Sequence, residues 1–117
     1  MMTIDSLEIP TYAEKKARWE VRVDLSGKRY TFNVSWNVQQ EAWTMRISDS
    51  NGELLIAGLR LVPGIDLLKK YRASCPTLPP GDLILFDKEN RMNTAEVTRD
   101  NLSTRFALKY MVYREAD

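Results

Sequence analysis

Leu54-Leu55-Ile56-Ala57-Gly58-Leu59-Arg60-Leu61-Val62-Pro63-Gly64-Ile65-Asp66-Leu67-Leu68-Lys69-Lys70-Tyr71 is the longest apolar run in the chain, and its period changes partway. Up to Val62 it reads as a strand. Leu54 and Ile56 fall on one face, Leu55, Ala57, Leu59 and Leu61 on the other, and Arg60 is its only charge. A strand apolar on both faces is expected to be covered on both. Gly58 inside it marks a bulge or a sharp bend. Pro63-Gly64 ends the strand. Beyond it a short helix is expected over about 65–72, with Asp66 placed to cap exposed backbone N–H groups. Leu67, Leu68 and Tyr71 share its apolar side. Lys69, Lys70 and Arg72 fall near its C-terminal end, where cations suit the helix dipole. So short a helix does not stand alone in water, so it must pack against the sheet or a barrel mouth.

Upstream, the chain reads as a β-meander. Trp19, Val21, Val23 and Leu25 alternate with Arg18, Glu20, Arg22 and Asp24, a period of two with one buried face. Ser26-Gly27-Lys28 is a turn, and Tyr30, Phe32, Val34 and Trp36 line one face of the next strand, Arg29 to Asn37. After the polar loop Val38 to Glu41, the strand Ala42 to Asp49 turns Trp43, Met45 and Ile47 inward. Asp49-Ser50-Asn51-Gly52 suits a type I′ hairpin turn. Trp19, Trp36 and Trp43 should meet in one core.

Downstream, Ala73 to Gly81 holds Pro76, Pro79 and Pro80 and reads as a stiff, extended loop. Leu83 to Phe86 is a short buried strand. Asp87 to Asn101 is a long polar loop, a kind usually functional or ordered by a partner. Thr104 to Tyr113 alternates Phe106, Leu108, Tyr110 and Val112 with Arg105, Ala107, Lys109 and Met111, a closing strand. Residues 1–14 are mixed in period and read as an N-terminal arm, ordered by a partner or by packing along the sheet edge. Ile4, Leu7, Ile9 and Tyr12 equip it to dock. Residues 114–117 are a charged tail. The whole is one domain by length, its β-domain over 18–113. The expected fold is mainly β: a small antiparallel barrel or sandwich of about six strands with one short helix.

Composition narrows the function. The 117 residues are 44% hydrophobic and 28% charged, with 17 Lys+Arg against 16 Asp+Glu. Near-neutral charge gives no general drive toward nucleic acid or an anionic membrane, and it favours life inside an assembly. Cys75 is the single cysteine, which excludes an intrachain disulfide and fits an intracellular, reducing origin. There is no histidine, so the commonest general base and metal ligand are both missing. The first residues read as neither signal peptide nor anchor, and no apolar run is long enough to span a membrane.

Each remaining candidate for chemistry has a simpler structural reading. Cys75 lies three residues from Arg72, yet reads as an unpaired loop thiol before Pro76. Asp82 and Asp87 flank a strand, as solvated turn-forming carboxylates do. Asp49, Asn51 and Glu53 alternate like part of a calcium loop, but Arg60 stands where its last glutamate belongs. Pro63 to Asp66 opens a helix, but Asp66 would repel an anion there. Lys69, Lys70 and Arg72 around Tyr71 are few cations for a nucleic-acid site and read as a solvated end or a surface toward another subunit. The strand aromatics read as core rather than as base-stacking platforms. No metal, cofactor or catalytic group is expected.

The run Leu61 to Tyr71, preceded by Gly58-Leu59, resembles the signature of baseplate plug proteins of contractile phage tails. The surrounding layout is similar: Tyr30-Thr31-Phe32, Trp36-Asn37, Trp43, the Asp49 to Gly52 turn, Pro79-Pro80-Gly81-Asp82-Leu83-Ile84, and a last strand from Phe106 to Tyr113. The resemblance spans Trp19 to Tyr113 and carries over no catalytic residue. It implies structural roles for Gly58, Leu61, Pro63, Gly64, Asp66, Leu67, Leu68 and Tyr71. It also implies a structural virion protein, made in the host cytoplasm and built in multiple copies into the tail baseplate. There it would lie near the hub and tube start, beside hub, spike, tube-initiator or wedge proteins, with no nucleic-acid or membrane partner. The alternative reading is a small nucleic-acid-binding barrel.

Overall fold

A computed structural model describes residues 2–89 and 96–115 of the chain. The described residues form strands β1 (Met2–Ile9), β2 (Arg18–Leu25), β3 (Lys28–Asn37), β4 (Ala42–Asp49), β5 (Leu54–Arg60), β6 (Asp82–Asp87) and β7 (Phe106–Glu115). One sheet has the order β2-β3-β4-β5 and the other β1-β7-β6, with every strand pair antiparallel. Of the two architectures expected, the chain takes the sandwich: the sheets stay open and do not close into a barrel.

The meander forms where alternation predicted it. Across β2–β3, Trp19 stands opposite Val34 and Val21 opposite Phe32. Across β3–β4, Phe32 faces Ile47, Val34 faces Met45 and Trp36 faces Trp43. Their inward side chains meet Leu83, Leu85 and Leu108 of the second sheet in one core. The tryptophans cluster as expected, with ring centroids 5.2 Å apart for Trp19–Trp43 and 5.5 Å for Trp36–Trp43. The β2–β3 turn puts both Ser26 (φ 53°) and Gly27 (φ 82°) in the left-handed region, matching the twist of the strands.

Four local expectations change or narrow. First, the turn after β4 is not type I′. Asn51 keeps a negative φ, because the Asp49 carboxylate accepts from both Asn51 N (2.9 Å) and Glu53 N (2.9 Å) and so organises the loop itself. Second, β5 is not covered on both faces. Between Ile47–Ile56 and Met45–Leu59, two steps along β4 match three along β5. The extra residue re-phases the strand at Gly58, whose φ is +72°. Ile56, Leu59 and Leu61 all turn inward, while a second extra residue, between Ser48–Leu54 and Ile47–Ile56, leaves Leu54 outside and 44% exposed. The two apolar faces of the sequence pattern are one buried face with a change of phase.

Third, of the two ways expected to order the arm over residues 1–14, a partner or the sheet edge, the chain takes the edge as a full strand: it supplies β1, which pairs with β7 from Met2–Glu115 to Ile9–Leu108. Ile9 enters the core, and beyond it Ala13 N donates to Ser103 Oγ at 2.8 Å. Fourth, the helix expected over about 65–72 contracts to one 3-10 turn, Lys69–Tyr71, because the backbone ahead of it is bonded elsewhere. Gly64 N donates to Leu85 O (3.0 Å) and Leu67 N to Leu83 O (2.8 Å), so this segment is tied to β6 rather than to its own next turn. A separate four-residue helix, α1 (Leu102–Arg105), precedes β7 and buries Leu102. Of the long loop expected over 87–101, residues 90–95 lie outside the described residues, as do Met1, Ala116 and Asp117. Its described end packs inward: Trp43 Nε1 donates to Thr98 O (3.0 Å) and the Arg99 guanidinium lies 5.1 Å from the Trp43 ring.

The proline-rich loop ends at Gly81, where backbone meets backbone. A Cβ there would lie 2.5 Å from Met111 O and 2.7 Å from the Tyr110 ring. Gly81→Ala is therefore expected to cost roughly 1–3 kcal/mol of unfolding free energy, the scale of overpacking a core. A urea titration followed by tryptophan fluorescence measures it, and an unchanged midpoint would show that β7 yields freely.

Candidate functional site

The residues singled out by the sequence gather where the chain leaves the first sheet and joins the second. Gly58 shapes the bulge of β5, and Leu61 is buried just beyond it. Pro63 then makes a parallel bridge to Leu85, Gly64 turns the chain at φ +83°, and Asp66 makes an antiparallel bridge to Ile84. Leu67 and Leu68 fill the core beneath, Leu68 with no exposed surface. Tyr71 closes the 3-10 turn and is half-buried. All of these lie on one continuous crossing, Gly58 at its start and the rest at the β6 seam.

Asp66 is the junction of that seam. Its Oδ1 accepts from Leu68 N (3.2 Å) and Leu83 N (3.0 Å), one on its own segment and one on β6. Its Oδ2 accepts from Arg72 Nη1, and Arg72 Nη2 donates to Gly81 O. Arg72 also lies 3.9 Å from the Asp82 carboxylate. The side chain of Asp66 is 13% exposed and that of Arg72 30%, so the pair is only partly screened by water. One carboxylate and one guanidinium thus tie the crossing segment to both the start of β6 and the loop before it. A further tie comes from Tyr110, whose Oη accepts from Gly81 N (2.7 Å) and shares a hydrogen bond with Ser26 Oγ (2.8 Å).

The basic cluster read from the sequence divides here. Arg72 turns inward to Asp66, whereas Lys69 and Lys70 stay exposed, Lys70 Nζ lying 5.2 Å over the Tyr71 ring. Sequence reasoning placed Arg72 with the lysines and missed this role. The available signal was its position six residues after Asp66, within reach across a short turn. It also missed Gly81 and Tyr110, which act only through the tertiary approach of β7. Asp82 and Asp87 stay at opposite ends of β6, and each meets an arginine: Asp82 the more distant Arg72, Asp87 the Arg105 guanidinium at 3.0 Å. Cys75 lies beside Thr77, its Sγ 3.6 Å from Thr77 Oγ1. Among the described residues no three acidic or cysteine side chains converge as a metal-ligand group.

Burial raises the carboxyl pKa of Asp82 above its ordinary value; the charge of Asp66 adds to this and Arg72 partly offsets it. Around this cluster lies an open groove of about 1110 Å³, bounded by the end of β5, the crossing segment and Asp82.

Bonds from this crossing fasten one sheet of an open sandwich to the other, so the fold defines a small two-sheet β-protein. Residues 6–113 match the family model described as cyanophage baseplate Pam3 plug gp18, and the chain belongs to this family of baseplate plugs. No curated protein matches the chain.

Two expectations test the seam. Asp66→Ala strands two backbone donors and Arg72, and should cost roughly 2–4 kcal/mol, while Asp66→Asn, which keeps an acceptor, should cost about half as much. Chemical denaturation of both variants checks the order. Asp82 has the opposite sign. Its folded-state pKa lies above the unfolded one, so the fold binds the proton more tightly and loses stability as pH rises through the titration. Asp82→Asn should therefore unfold at higher denaturant than the parent at neutral pH, with the gap closing in acid as Asp82 protonates.

Proposed function

We propose that this chain is a structural component of a contractile phage tail, a plug that packs near the hub and tube start and holds the central baseplate closed before contraction. The family match over residues 6–113 carries this reading. The fold supports it, because the crossing is an internal fastening rather than a reaction centre. On this reading the chain is not an enzyme, and Gly58, Leu61, Pro63, Gly64, Asp66, Leu67, Leu68 and Tyr71 act through folding.

Hub, spike, tube-initiator or wedge proteins are the partners in this reading, met in multiple copies within a symmetric assembly. The protein is made in the host cytoplasm and incorporated in the virion tail. The outward face of the β1-β7-β6 sheet is suited to such contacts. Ile4 (55% exposed) and Tyr113 (48%) stand opposite each other across β1 and β7, and Phe86 is exposed on β6. Neighbouring apolar side chains of this kind gain about 25 cal/mol for each Å² they bury. The proline-rich loop 73–81 and the loop 87–101 add further contact segments. A nucleic-acid-binding barrel is the weaker reading, since the sandwich is open and its strand aromatics are spent in the core.

The test is to locate the protein in purified virions. Mass spectrometry of isolated tails should find it at a fixed ratio to the hub proteins, and cryo-electron microscopy should place it on the tail axis. Its consistent absence from intact tails would remove the reading.

A further inference from the structure

The groove beside the crossing has a charge pattern that the internal fastening does not use. Four cations border it, Arg60, Lys69, Lys70 and Arg72, against the two carboxylates Asp66 and Asp82. Arg72 is committed to those carboxylates. Arg60, Lys69 and Lys70 are all exposed, and among the described residues none has a carboxylate within ion-pair distance. Like charges bordering one groove repel one another, so an incoming anionic segment gains from relieving that repulsion.

The rest of the lining is apolar. Ile65 is 55% exposed at the lip, Val62 and Tyr71 are half-buried, and Leu59 and Leu67 form the floor. Arg60 ends β5, the outermost strand of its sheet. An open groove beside an edge strand fits an extended chain better than a folded surface.

We propose that this groove receives an extended acidic segment of a neighbouring baseplate protein, its Asp or Glu side chains against Arg60, Lys69 and Lys70 and an apolar side chain against Ile65 and Val62. This rests on the baseplate reading above. A nucleic-acid strand is the poorer occupant. Asp66 and Asp82 lie in the wall that a phosphate backbone would have to follow, and Lys70 already covers the Tyr71 face on which a base would stack.

Zero-length carbodiimide cross-linking of purified virions tests the proposal, because it joins an amine only to a carboxylate in direct contact. The expected product links Lys69 or Lys70 to an Asp or Glu of another baseplate protein. In parallel, a phage complemented with Arg60→Glu/Lys69→Glu/Lys70→Glu should incorporate at least tenfold less of the protein, with its thermal unfolding midpoint unchanged. Lys69→Arg/Lys70→Arg should incorporate normally. Normal incorporation of the charge-reversed protein overturns the groove proposal but leaves the baseplate reading intact. So do cross-links confined to copies of this chain, or binding to a labelled dT20 oligonucleotide that the same reversal abolishes. Absence of the parent chain from virions overturns both.

Discussion

The Asp66 carboxylate sets the geometry on which the two sheets depend. A buried or half-buried carboxylate is costly unless donors surround it, and here three do so: Leu68 N and the Arg72 guanidinium from its own segment, and Leu83 N from β6. Meeting that demand fixes where β6 begins relative to the end of the first sheet. It also explains why a segment with helical spacing does not become a helix. Its amides at Gly64 and Leu67 bond the carbonyls of Leu85 and Leu83 instead of extending a helical turn. Packing then follows from position, with Leu67 and Leu68 carried into the core by a backbone that is already pinned.

Much of this was written in the sequence as periodicity. The alternation in β2, β3 and β4 and the closing strand β7 could be read directly, because a period of two with one polar face has a single interpretation in a folded chain. The crossing was legible as a place but not as a geometry. Gly58 announced a bulge, yet the pattern could not say that the bulge would convert two apparent faces into one. β1 was hidden because an edge strand that leaves both Ile4 and Leu7 exposed does not alternate cleanly. Arg72 was read with its lysine neighbours because, Asp66 apart, its partners Gly81 and Asp82 lie across a loop. Distance along the chain conceals such contacts, and only the fold brings them together.

The same division separates two uses of charge on one short stretch. Arg72 contributes to folding, since its partners belong to the molecule. Arg60, Lys69 and Lys70 stand close to it in the chain and face outward. A cluster that looks uniform by composition therefore serves two ends, inner fastening and outer recognition.

The extra residues that re-phase β5 have a second effect. A regular edge offers an evenly spaced row of amides and carbonyls, and any passing strand can add itself to such a row. A bulged edge breaks the spacing and twists away, so backbone alone holds a newcomer poorly. Such an edge is a poor template for pairing with a second copy. What settles beside this edge must be recognised by its side chains, which makes the irregularity at Gly58 a filter for the right neighbour.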